Sequence, residues 1–222
     1  MADGHGALLV ALATAAASRR YRAGEALFLE GDISDRLFVL ERGAVKIAST
    51  TTSGHEVVLG VRGPGDVVGE LSTIDGAPRS ASAVSLGAVE ARVLSAHDFH
   101  AALDADPGAA RELLRVVAAR LRDADRKRVE FATLDTLGRV ATRLLELSER
   151  FGQDAPDGRR IDLPLSQEEL AAWCGASREA TVKALKALRE LRLVTTGRRT
   201  LVVHDAAALA RVAVPGCGGA VA

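Results

Sequence analysis

The chain has 222 residues, 48% of them hydrophobic and 26% charged, and no net charge at pH 7. That composition excludes a disordered or fibrous chain and gives no bulk field that marks a partner; the length suits one large or two modest domains. Residues 1–137 carry 16 basic and 19 acidic side chains and residues 138–222 carry 13 and 10, so any nucleic-acid contact belongs to the second part. The two cysteines, Cys174 and Cys217, lie far apart and supply no disulfide framework or Cys-x-x-Cys metal pattern. A reducing cytoplasm is the expected setting.

Residues 7–17, ALLVALATAAA, are apolar but too short to span a bilayer, and they lack the basic flank of a signal peptide. They read as an amphipathic helix. The chain then changes character. Short runs rich in Val, Ile, Leu and Phe (LFVL, AVKIAST, EVVLGV, SASAVSLGAVEARVL) alternate with turn signals at Ala23-Gly24, Gly31-Asp32, Arg42-Gly43, Ser53-Gly54 and Gly63-Pro64-Gly65-Asp66. Strands at this spacing, ending near Leu94, predict an antiparallel barrel or jelly roll.

Helical periodicity follows. Ser95 is placed to cap a short helix through Leu103. Asp106-Pro107 opens a long one, because proline is pre-shaped for the first helical position. No breaker occurs from Gly108 to about Asp135, which predicts a helix roughly 40 Å long. Leu114, Val117, Leu121, Ala124, Arg128 and Phe131 recur on it at three- and four-residue spacing. This seam suggests a coiled coil with a second copy, with Arg128 as its one untidy member. Gly138 reads as a hinge, RVATRLLELSERFG as a helix ending at Gly152, QDAPDGRR as a polar loop, and 214–222 as a frayed tail.

The segment from Leu163 onward carries the densest set of signals. Ser166 and Glu169 have capping-box spacing at the start of a helix over 167 to about 173. Gly175 suits a tight turn, and Ser177 caps a second helix from Arg178 to about Leu191. Helix, short glycine turn and helix make a helix-turn-helix. On the second helix Val182, Leu185 and Leu188 form the apolar stripe, leaving Arg178, Glu179, Thr181, Lys183 and Lys186 polar. Residues near the start of such a helix reach base edges in the major groove. Arg178 can bond a guanine through two parallel N–H groups, and Glu179 can accept from cytosine N4. LVTTGRRTLVV reads as a hairpin with Gly197 in the turn and Arg198 and Arg199 at a phosphate-gripping tip. The expected DNA-contacting set is Ser166, Gln167, Ser177, Arg178, Glu179, Thr181, Lys183, Arg198 and Arg199, with double-stranded DNA as the expected partner; a helical hairpin used for protein contacts is the competing reading.

In this order of elements the sequence resembles the CRP/FNR family of transcription regulators over nearly its whole length. The likeness rests on YRAGEALFLEGD, LFVLERGAVKI, GELS with PRSAS, LDTLGRVATRLLELSERFG and LSQEELAAWCGASREATVKALK. The resemblance implies an α+β chain. A cyclic-nucleotide-binding β-barrel or jelly roll would occupy 1–106, a dimerisation helix 107–137 and a winged helix-turn-helix 138–213. It also implies a homodimer in the bacterial cytoplasm, a palindromic operator, RNA polymerase as a further partner, and no enzymatic activity.

GELS…PRS then implies a cyclic-nucleotide cassette. Arg79 would meet the phosphate with a forked, charge-assisted hydrogen bond, and Ser80 and the backbone around Glu70, Leu71 and Ser72 would add donors. Glu70 would accept from the ribose 2′-hydroxyl, and Gly69 would let the backbone approach the sugar. The competing reading is an internal Arg79–Glu70 ion pair in a barrel without a ligand. At the base-contacting positions this chain departs from the family pattern of Thr followed by Ser or Asn, and has Ala124 and Asp125. Aspartate can accept from the adenine amino group or from the N1–H and N2–H donors of guanine, and a solvated helix residue is the competing reading of Asp125. The implied effector is cyclic AMP, with cyclic GMP, a ligand-independent member, or a cyclic-nucleotide module acting on protein partners as alternatives. No metal is expected: the histidines are scattered, and no iron–sulfur cysteine cluster, nucleophile–base pattern or Walker loop is present.

Overall fold

The computed structural model describes residues 16–197 and 200–214. They form two compact units, divided within one long helix between Asp123 and Ala124. The expected amphipathic helix over 7–17 lies outside the described residues except at its end, where Ala17 already begins a strand. The expected tail and the Arg198-Arg199 tip also lie outside them, apart from Val214.

The first unit holds two four-stranded antiparallel sheets. One has the order β1 (Ala17–Tyr21), β8 (Val89–Ser95), β3 (Arg36–Arg42), β6 (Val67–Val68); the other β2 (Ala26–Phe28), β7 (Ser82–Ser85), β4 (Val45–Thr50), β5 (Glu56–Arg62). Strand β3 explains why LFVL is an unbroken apolar run rather than an alternating one. Leu37 and Val39 pack with Val67, Leu94, Phe99 and Leu113, whereas Phe38 and Leu40 pack with Tyr21, Val45, Val68, Val89 and Ala91. A strand covered on both faces has no polar side to show.

Between β6 and β7 lies the short helix α1 (Glu70–Asp75), and after β8 comes α2 (Ala96–Ala105), whose cap Ser95 accepts from the Asp98 amide. The long helix α3 spans Pro107–Thr133. Leu113 enters the barrel core, but Leu114 and Leu121 on the expected seam are 67% and 62% exposed.

The second unit contains α4 (Thr136–Phe151), α5 (Gln167–Cys174), α6 (Arg178–Glu190), α7 (Ala206–Val212) and a sheet of order β11 (Val194–Thr196), β12 (Leu201–Val203), β10 (Gly158–Ile161), β9 (Gly152–Ala155). Two sequence readings change here. Gly138, expected as a hinge, lies buried in the first turn of α4, its amide donating to the capping Asp135 carboxylate at 2.8 Å. The break between helices falls at Leu134 and Asp135 instead. QDAPDGRR is a β-hairpin rather than a loop, pairing Gly152 with Ile161 through Ala155 with Gly158. Its second strand then pairs with β12, so the wing is a four-stranded sheet.

Candidate functional site: an anion cradle and a DNA-reading helix

Gly69 caps α1 with φ of 84°, a left-handed conformation that glycine adopts without strain. It turns the chain so that Glu70 and Ser72 point inward and Leu71 stays 44% exposed. The first amides of a helix have no partner within it. The start of α1 thus offers donors beside an inward-facing carboxylate and hydroxyl.

Arg79 is only 3% exposed. Its backbone is fixed to the 29–32 turn: the Gly31 amide donates to its carbonyl and its own amide to the Asp32 carbonyl, both at 2.9 Å. One guanidinium nitrogen donates to the Gly69 carbonyl and the Ser72 hydroxyl, the other to the Ser34 hydroxyl (2.9 Å) and the Arg36 carbonyl. Phe28 lies beneath, its ring centre 4.4 Å from Cζ. The third nitrogen, Nε, is buried with no hydrogen-bond partner. Burial pulls the guanidinium below its ordinary range, and the carboxylates of Glu70, Asp32 and Asp35 push in the opposite direction. The result is a buried cation whose bonding partners are all neutral.

Glu70 does not pair with Arg79. Its carboxylate accepts from Arg120 of α3, which also donates to the Val67 carbonyl. The competing ion-pair reading therefore gives way to a split arrangement in which each charge is held by its own set. Ser80 is exposed next along the chain. Ala124 and Asp125 belong to the second unit, both exposed, with Asp125 3.5 Å from Arg128.

Sequence reasoning missed Arg120, Ser34 and Phe28. Arg120 stands one helical turn before Ala124, and that spacing was the available signal. Ser34 and Phe28 carry no motif; only the folded 28–36 turn brings them to Arg79.

In the second unit the helix-turn-helix is built as its sequence implies. Ser166 and Glu169 form the reciprocal capping box, Gly175 has φ of 56°, and Ser177 accepts from the Ala180 amide. A Cβ on Gly175 would stand 2.6 Å from Phe131, so that aromatic ring rests on the turn itself. Arg139 braces it, donating to the Cys174 and Leu134 carbonyls at 2.8 and 2.7 Å. Arg143 is buried, paired with Glu130 and Glu146.

Ser166, Gln167, Ser177, Arg178, Glu179 and Lys183 are exposed. The Glu179 carboxyl is held below its usual range by its own amide and the Ser177 hydroxyl, so it is ionised and purely an acceptor. Thr181, expected on the DNA-contacting face, is not there. It is fully buried, its hydroxyl without a partner, and it leaves Val182 on the exposed face instead. The helix buries 181, 184, 185 and 188, a three-four pattern that threonine joins because its shape is that of valine. Among the described residues no cluster of His, Cys, Asp and Glu is placed to hold a metal, and no helix is long and apolar enough to cross a membrane.

Such a barrel followed by such a helix-turn-helix defines a class of transcription regulator. The chain matches the cyclic nucleotide-binding domain family over residues 18–106 and the Crp-like helix-turn-helix domain family over 138–212. It is 35% identical over 188 residues to the CRP-like cAMP-activated global transcriptional regulator of Mycobacterium tuberculosis, covering 85% of this chain and 84% of that one. It is 34% identical over 195 residues to the cyclic AMP receptor protein of Thermus thermophilus, covering 88% and 87%. A CRP-family transcriptional regulator structure from the same organism superposes with a TM-score of 0.75 at 26% identity, over 88% of this chain and 96% of that one.

The chain belongs to the CRP/FNR family of transcription regulators, and its domains are those of regulators rather than enzymes.

Proposed function

We propose that this regulator is a cytoplasmic homodimer, gated by cyclic AMP in the N-terminal barrel, that reads a palindromic operator through α6 and the wing. The observation that carries the reading is Arg79: a buried guanidinium bonded only to neutral groups, with one N–H left over. A buried charge without a counter-ion is costly, and a phosphate supplies one. The residues around it fit the rest of a cyclic nucleotide, with exposed Ser80 and the α1 amides as further donors and Glu70 as acceptor for a ribose hydroxyl.

Arg120 supports a link from ligand to dimer. It bonds Glu70 from the long helix, so a change at the ribose subsite acts directly on α3. The exposed Leu114 and Leu121, seven residues apart on that helix, support its use as the seam between two copies. Ligand would then favour the state whose recognition helices are spaced one DNA turn, about 34 Å. Arg178, Glu179 and Lys183 face the bases, Ser166, Gln167, Ser177, Arg198 and Arg199 hold the backbone, and RNA polymerase is the downstream partner. Cyclic AMP is favoured because two relatives about one-third identical are named for it.

Calorimetric titration of the full chain with cyclic AMP and then cyclic GMP tests the sensor. Micromolar or tighter binding of cyclic AMP, lost in Arg79→Ala, is the expected result. Preference for cyclic GMP would assign Asp125 to a guanine edge instead. Binding of neither would leave the cradle without the effector proposed for it.

A further inference from the structure

Helix α6 presents Arg178, Glu179, Val182, Lys183 and Lys186 to solvent. Val182 is 37% exposed, one turn after Arg178 and one turn before Lys186. A branched apolar side chain thus stands in the middle of an otherwise charged face. Core packing does not call for it, since Thr181, Ala184, Leu185 and Leu188 already fill the buried side. Helix stability does not either, because valine is a poorer helix former than alanine, glutamate or lysine.

What Val182 offers outward is a pair of methyl groups. In the major groove, base edges present donors and acceptors that Arg178, Glu179 and Lys183 can match. The one apolar feature there is the pyrimidine 5-methyl, carried by thymine in unmodified DNA. Lys186 leans toward Glu190, Nζ to Oε1 3.7 Å, away from the start of the helix. A side chain four residues beyond Arg178 lies about 6 Å further along the helix, one to two base-pair steps at 3.4 Å each.

We propose that Val182 is a specificity-determining residue that packs on a pyrimidine 5-methyl, that of a thymine one or two base pairs from the base read by Arg178. Cytosine in that place offers an amine and a bare C5, so valine would gain less contact and leave the amine without a partner. The inference rests on the DNA-reading role proposed for α6.

The test begins with selection of sites by the full chain from a random duplex library with cyclic AMP present. Each thymine of the selected half-site is then replaced by deoxyuridine, which removes only the methyl. One position is expected to weaken the wild type about 3- to 10-fold per half-site. At that same position Val182→Ala should bind the thymine and uracil duplexes alike. Cytosine there should be improved by 5-methylation for the wild type but not for Val182→Ala, which separates the methyl from the rest of the thymine edge. Equal sensitivity of both proteins at every position, or none in either, overturns the role of Val182 while duplex binding stands. Failure to retain any duplex overturns the DNA-reading role, and the inference with it.

Discussion

Gly69 and Arg79 occupy each other's space. A Cβ on residue 69 would lie 2.7 Å from Nη1 of Arg79 and 3.1 Å from its Cζ, and the Gly69 backbone sits at φ of 84°. The same glycine carbonyl accepts from Nη1. The missing side chain is therefore what lets the guanidinium reach the turn, and the left-handed backbone is what points the carbonyl at it. Gly69→Ala should strain the turn by about 1–2 kcal/mol and push the guanidinium from its seat. The expected outcome is at least a ten-fold loss of cyclic-nucleotide affinity by calorimetry with the barrel still folded by circular dichroism. Unchanged affinity would show that Arg79 can bind its ligand from another position.

The second unit also buries an arginine, Arg143, but holds it with carboxylates. The arginine is 2% exposed, bonded to Glu130 of α3 and at 2.6 Å to Glu146, with the Trp173 ring 5.6 Å from Cζ. Removing one partner from a buried pair leaves an uncompensated charge. Arg143→Ala should cost about 3–5 kcal/mol in urea unfolding, and Arg143→Met with Glu130→Leu much less. If the double variant were as unstable as the single one, the pair's value would lie in shape and not in charge.

Much of this architecture was legible because local signals agree with global demand. The Ser166–Glu169 capping box, the Gly175 turn and the Ser177 cap each satisfy backbone groups within a few residues, so their spacing alone specifies them. Strand β3 was legible for its apolar run. The features that were not legible depend on distant partners. QDAPDGRR is polar because β9 is an edge strand and both strands are short, and pairing with β12 is what holds β10 in place. Arg120 looks like any surface arginine on a charged helix until Glu70 and the Val67 carbonyl are brought to it. At 181 and 182 hydropathy pointed to valine as the inward residue, whereas the period shared with Ala184, Leu185 and Leu188 points to threonine.

The Thr181 hydroxyl is buried and has no partner. Valine has the same shape without the polar atom, so Thr181→Val should leave the protein as stable or stabilise it by about 1 kcal/mol. Operator affinity should not change. A loss of sequence-specific binding in gel-shift titration would return Thr181 to the reading face.

Arg192 ends α6 at φ of 58°, the one described non-glycine residue with positive φ. Its amide donates to Arg189 and the following Leu193 amide to Leu188, the paired bonds of a Schellman ending, in which glycine is the usual residue. Arg192→Gly relieves the left-handed strain at some cost in unfolded-chain entropy. A net gain of about 0.5–1 kcal/mol in thermal or urea unfolding is expected. A loss would mean that the arginine side chain makes up for its backbone.

Cys174 closes α5 beneath the turn, and burial pushes its thiol from an ordinary 9.0 up to about 12, against the opposing pull of Arg143 and Arg139. The folded protein therefore keeps a proton that the unfolded chain releases. The stability this contributes is complete below pH 9 and is lost as pH rises from 9 toward 12, at about 1.4 kcal/mol per pH unit. In a Cys217→Ser background, Cys174→Ala should flatten that part of the stability curve relative to its parent, which cancels the titration of the lysines and the single tyrosine common to both. The same parent should resist iodoacetamide at pH 8 until denaturant is added, because the thiolate is the reactive form and the thiol is enclosed. Native-state alkylation at the rate of an unfolded peptide would show instead that α5 opens readily, and that α6 rests on a loose support.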